Sequence, residues 1–112
     1  MAILQHLEEL RLGLPAVEIV AYMDLRSGTV LGKSVAGDEP QERLDALCAL
    51  AGDVLGGDAG ETDEAVMMRS TEALVLRRAP GAPAEALCLV CAPDVDISQV
   101  MEGARRALDA AA

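Results

Sequence analysis

The apolar residues of this chain recur with a period that changes along its length. A helical stripe gives way to two strand-like runs, a longer helical stripe, three more strand-like runs and a last helical stripe. This αββαβββα succession constrains the fold strongly, because strands that are apolar on both parities need cover above and below. The expected architecture is α+β, one sheet with helices on both faces. A length of 112 residues suits a single domain spanning 1–112, since chains of this size bury about two thirds of the surface they expose when unfolded.

Ile3, Leu4, Leu7 and Leu10 lie at helical spacing with Glu8 and Glu9 turned away, which predicts a short helix over about residues 2–12, ended by Gly13. Ala16 to Asp24 reads as a strand, with Val17, Ile19, Ala21 and Met23 on one face and Val20 and Tyr22 on the other. Turn chemistry from Asp24 to Gly28 leads into a returning strand, Thr29 to Val35, in which Lys33 and small residues suit an edge. Pro40 and its preceding acids open a helix from Gln41 to Leu55, with Leu44, Leu47, Cys48, Ala51, Val54 and Leu55 on one face and Gly56-Gly57 as its stop. The acidic, glycine-rich stretch Gly56 to Asp63 reads as a mobile loop. Strands follow at Glu64 to Arg69, Ala73 to Arg78 and Ala86 to Cys91, the last two joined by a loop from Ala79 to Ala84. Asp94 or Asp96 caps a final helix, with Asp96 and Gln99 three apart as in a capping box and Ile97, Val100, Met101, Ala104 and Leu108 as its stripe, and the closing alanines read as a frayed tail.

Composition narrows the function classes. A formal charge of −10 repels phosphate backbones, and Tyr22 is the only aromatic residue, so bases have nothing to stack on and nucleic acid is not an expected partner. No apolar run approaches the roughly 20 residues of a membrane span, and Glu8 and Glu9 stand where a signal peptide would be apolar. The three cysteines sit inside apolar segments, as reduced core thiols do, and the chain reads as cytoplasmic.

Each candidate for chemistry meets a physical objection. Ser27 to Ser34 ends in Gly32-Lys33-Ser34 like a phosphate-binding loop, yet only three residues separate Gly28 from Gly32 and no helix opens at the lysine. Cys88 and Cys91 have redox or zinc spacing, but residues three apart in a strand point to opposite faces. His6, the only histidine, has no serine or cysteine beside it to activate. Glu61, Asp63 and Glu64 lack calcium-loop spacing, and the doublets Arg77-Arg78 and Arg105-Arg106 read as solvated charge. No catalytic residue, cofactor or metal is therefore expected. Ala65-Val66-Met67-Met68 is different, being apolar on both parities at the start of a strand group. At a sheet edge it would expose unpaired amides beside apolar side chains and call for a second copy, whereas an interior strand would satisfy the same pattern.

From Leu4 to Leu108 the chain resembles the roadblock (dynein light chain) family, in a bacterial-type single-domain form. The likeness rests on Leu14-Pro15-Ala16-Val17 leading to the Gly28 hairpin, on the Leu44 to Leu55 helix, and on Cys91-Ala92-Pro93-Asp94 passing into the last helix; the family commonly has glycine where Ala16 stands. The resemblance implies a five-stranded antiparallel sheet in the order 2-1-5-4-3, with the middle helix on one face and the terminal helices on the other. It also implies a homodimer formed by the Glu64 to Arg69 edge and the middle helix, and a non-catalytic role in binding Ras-like small GTPases. The dimer contacts expected here are Leu47, Leu50, Ala51, Val54, Ala65, Val66, Met67 and Met68, and exposed Glu42, Arg43 and Asp45 are the candidates for meeting the GTPase. The competing expectation is a small-molecule sensor on the same profilin-like sheet, although one aromatic residue offers little to line a pocket.

Overall fold

A computed structural model describes residues 2–56 and 62–111. A 3-10 turn (Ala2–Gln5) leads into α1 (Leu7–Gly13), followed by β1 (Val17–Asp24), β2 (Thr29–Val35), α2 (Gln41–Leu55), β3 (Glu64–Met68), β4 (Ala73–Ala79), β5 (Ala82–Cys91) and α3 (Ile97–Ala111). The strands form one antiparallel sheet in the order β2-β1-β5-β4-β3. β1, β5 and β4 occupy its middle, which is why those three runs are apolar on both parities.

Two apolar layers sandwich the sheet. On one face Leu44, Leu47, Cys48, Ala51 and Leu55 of α2 pack on Ile19, Ala21, Met23, Leu74, Leu76, Cys88 and Val90. On the other, Leu7 of α1 and Val100, Ala104 and Leu108 of α3 pack on Val17, Val20, Tyr22, Val75, Leu87, Leu89 and Cys91. Leu44 is fully buried, and truncating such a side chain typically costs about 2–5 kcal/mol. Helix α2 keeps the expected bounds because its ends are chemically specified. The Pro40 carbonyl accepts from Arg43 N at 3.0 Å, and Gly56 closes the helix at φ +81°, a left-handed conformation that side chains resist.

Several expectations need correction. The predicted first helix divides at His6 into a 3-10 turn and α1. Val17 lies with Val20 and Tyr22 rather than with Ile19, because β1 pairs Val17 with Cys91 but Ile19 with Val90, leaving Glu18 as an extra residue that flips the parity. The supposed Ala79 to Ala84 loop is mostly strand, since Ala79 pairs with Ala82 across a turn at Pro80 and Gly81. Pro83 is tolerated there because β1 pairs β5 only from Glu85 onward. The stretch from Gly57 to Glu61 and the terminal Ala112 lie outside the described residues.

The phosphate-loop look-alike is a hairpin. Gly28 N donates to the Asp24 carbonyl at 2.9 Å, and Thr29–Val35 pairs with β1. Gly32 serves packing instead: a Cβ there would collide with Leu4 Cδ2 and sit 3.3 Å from Leu7 Cδ1, so its absence lets the N-terminal segment close over β2.

Candidate functional site

β3 is an edge strand with one neighbour, β4, and the two run in unbroken register from Glu64↔Arg77 to Met68↔Ala73. Its side chains divide by parity. Ala65 and Met67 pack beneath α2, while Val66 and Met68 turn to the α3 face and remain 37% and 58% exposed. Beyond the rim of α3, this edge combines open backbone groups with apolar side chains, a combination that proteins usually blunt.

Charge arranged around β3 holds it in place. Glu64 binds two arginines: its Oε1 accepts from Arg105 Nη2 at 2.8 Å, and its Oε2 lies 3.3 Å from Arg77 Nη1. Arg78, only 6% exposed, donates through Nη2 to the carbonyls of Leu55 at 2.7 Å and Thr62 at 3.0 Å, and through Nη1 to that of Pro83. This cation ties the end of α2, the approach to β3 and the β4–β5 hairpin together. The solvated reading of Arg77-Arg78 is thus corrected for Arg78. Alternate residues of a strand covered on both faces cannot both reach water, and that parity was the available signal. Asp63 faces Arg78 Nε at 3.3 Å, so Asp63 and Glu64 are both engaged by arginines, while Glu61 lies outside the described residues.

The expected α2 contacts separate by burial. Leu47 and Ala51 are buried against the sheet of their own chain, whereas Leu50 and Val54 are half-buried at the margin of that layer. A shallow groove of about 290 Å³ between α2 and the β3–β4 turn is lined by Arg43, Ala46, Leu47, Leu50, Arg69 and Glu72. Arg43 Nη2 donates to Glu72 Oε1 at 2.8 Å, a bond that raises the guanidinium's pKa. Asp45 accepts from Gln41 Nε2 at 3.0 Å, and Glu42 and Asp45 stay exposed on the outer face of α2. Glu42 and Asp45 therefore face solvent, and Arg43, its side chain 38% exposed, reaches to Glu72 in the β3–β4 turn.

The thiols of β5 are committed to packing. Cys88 joins the α2-side layer and Cys91 the opposite one, as strand parity requires. Burial pushes the Cys88 thiol up to about 12 and that of Cys91 to about 11, so both stay protonated and poorly nucleophilic at neutral pH. Tyr22 donates to Glu85 Oε1 at 2.7 Å, and burial raises its pKa. His6 lies 3.4 Å from Glu9 at the mouth of an open cleft of about 490 Å³ between α1 and α3, walled by Leu10, Leu14 and Ala107 with Arg106 at its rim. Among the described residues no helix is long and apolar enough to cross a membrane.

A sheet ordered 2-1-5-4-3, with one helix on one face and the terminal helices on the other, defines the profilin-like class of α+β folds. Within that class the chain has the roadblock/LC7 fold. It superimposes on a roadblock/LC7 domain from Streptomyces avermitilis with a TM-score of 0.77 at 16% identity, covering 96% of this chain and 92% of the other. For the gliding protein MglB of Thermus thermophilus the TM-score is 0.79 at 21% identity, covering 98% and 85%. For an MglB described as having a tetrameric arrangement it is 0.78 at 22% identity, covering 97% and 84%. No family model matches the chain, and no curated protein matches it in sequence.

Proposed function

We propose that this chain is a cytoplasmic, non-catalytic regulator or scaffold of the roadblock type, which forms a homodimer and in that form binds a Ras-like small GTPase. The observation that carries the reading is the β3 edge, where open amides and carbonyls stand beside Val66 and Met68, with half-buried Leu50 of α2 lining the groove at the β3–β4 turn. Pairing β3 with a second copy would continue the sheet and bring the two α2 helices side by side. The outer faces of those helices, with Glu42, Asp45 and the neighbouring Arg43, would then form one platform for the GTPase.

Two further observations support this role. The fold is shared with MglB, a gliding protein, and a tetrameric arrangement is described for one MglB. The thiols, tyrosine and histidine that catalysis would need are protonated, buried or without a group to activate.

Sedimentation of the purified chain at micromolar concentration tests the homodimer, with twice the monomer mass as the expected result. Capture of a small GTPase encoded beside this chain, loaded in turn with GDP and GTP, tests the partner. Retention that depends on nucleotide state and is lost in the double variant Glu42→Arg, Asp45→Arg is expected. A chain that sediments as a monomer, or a GTPase that is never retained, rejects the corresponding half of the proposal.

A further inference from the structure

The backbone of β3 fixes how a second copy can dock. Arg78 N donates to the Asp63 carbonyl at 2.7 Å, and Arg69 N donates to the Glu72 carbonyl at 2.9 Å. In an antiparallel ladder the residues that bond to a given neighbour alternate. Asp63, Ala65, Met67 and Arg69 therefore direct their amides and carbonyls to β4, and Glu64, Val66 and Met68 direct theirs outward. Only registers that set even-numbered residues of one copy against even-numbered residues of another can close hydrogen bonds.

Three such registers keep β3 paired with itself about a two-fold axis, centred on Ala65, Val66 or Met67. The Val66-centred register alone satisfies all the outward groups of the strand at once, pairing Val66 with Val66 and Glu64 with Met68. The other two shift Met68 or Glu64 past the end of the partner strand.

Side chains make the same choice independently. Centring on Val66 sets Asp63 directly across from Arg69, and Ala65 across from Met67, on the α2 face. The Asp63 side chain is 68% exposed beside Arg78, and that of Arg69 is 45% exposed with Glu72 at 3.9 Å, so both have charge to offer across the seam. Opposite charges facing across a strand pair are favourable, and a small residue facing a large one packs without collision. On the α3 face Glu64 meets Met68 with its carboxylate already neutralised by Arg77 and Arg105. Centring on Ala65 would set Asp63 against Met67, and centring on Met67 would set Arg69 against Ala65. For a chain with a net charge of −10, a seam that carries its own opposite charges matters, because the rest of the surface opposes self-association.

We infer that two copies join edge to edge through β3 in the Val66-centred register, closed at each end by an Asp63–Arg69 ion pair. This inference rests on the homodimer proposed above and adds its geometry.

Cysteine trapping tests the register. Residues in a non-hydrogen-bonded pair have Cα atoms about 4.5 Å apart, inside the roughly 4.4–6.8 Å that a disulfide spans. Ala65→Cys and Met67→Cys chains carrying different tags are purified separately, mixed, allowed to exchange and oxidised mildly; the native thiols are buried. The expected product on non-reducing electrophoresis is the mixed Ala65→Cys/Met67→Cys band at dimer mass, with neither variant cross-linking efficiently alone. A symmetric disulfide from Ala65→Cys or Met67→Cys alone would overturn the register while leaving the dimer intact. Absence of any disulfide in a chain that sediments as a dimer would overturn the β3 seam. A monomer in sedimentation would reject the underlying homodimer, and the register with it.

Discussion

The two edges of the sheet receive opposite treatment. β2 is guarded: Leu4 and Leu7 close over Gly32, Arg11 Nε donates to Ser34 Oγ at 2.8 Å, and a register shift between Tyr22 and Met23 interrupts its pairing with β1. Lys33 is exposed on it, and a bulge together with a lysine is a usual defence of a free edge. β3 has none of these. Its five residues run in unbroken register with β4, and no lysine or proline interrupts Glu64–Met68. An edge left smooth and apolar on a sheet whose other edge is protected is an edge kept available.

The comparison breaks most completely if β3 loses its anchor. Replacing Arg78 with Met keeps much of its volume but abandons the carbonyls of Leu55, Thr62 and Pro83 in a buried setting. Leaving buried acceptors and a charge partner unsatisfied should cost about 3 kcal/mol or more. Denaturant unfolding should show the fall in midpoint, and β3 amides should lose protection from hydrogen exchange before those of β1. Equal loss of protection in both strands would mean that Arg78 stabilises the whole sheet rather than this edge.

The second change separates pairing from folding. Val66 N–H points away from β4, so Val66→Pro removes a donor that the monomer does not use, and proline is tolerated on an edge strand in that position. By symmetry each dimer loses two hydrogen bonds, worth together about 1–3 kcal/mol, so the dimer dissociation constant should rise by roughly fivefold to a hundredfold with little change in the far-UV spectrum or melting temperature. Ala65→Pro, one residue away, strikes the β4 ladder and should destabilise the fold itself. Similar behaviour from the two variants would contradict the assigned alternation.

Much of this was legible in the sequence, and the unreadable parts have identifiable causes. Helix α2 was readable to its first and last residues because Pro40 and Gly56 punctuate an apolar stripe. The divergence of Cys88 and Cys91 followed from strand parity. The β3 run stood out by composition, yet its sequence alone fits an interior strand as well as an edge. What decides is chain topology, which a local run of residues does not encode. Glu18 was invisible as a bulge because an extra residue leaves no compositional mark, and Pro83 disguised the start of β5 as a loop. The burial of Arg78 is hidden in the sequence because a doublet of arginines looks solvated unless the strand that carries it is covered on both faces. Among the expected contacts, Leu47 and Ala51 belong to the apolar stripe that α2 packs on its own core.

The smallest expected effect lies at the guarded edge and sharpens the contrast from the other side. Arg11→Ala deletes the bond to Ser34 that pins α1 over β2, a partly buried hydrogen bond worth about 0.5–1.5 kcal/mol. Thermal or denaturant unfolding should register that loss, while sedimentation should be unchanged, because the edge that α1 covers is not the one that pairs. If Arg11→Ala altered the association state instead, by exposing β2 to a second copy, the protection of that edge would be a matter of degree. Self-association would then belong to both rims of the sheet and not to β3 alone.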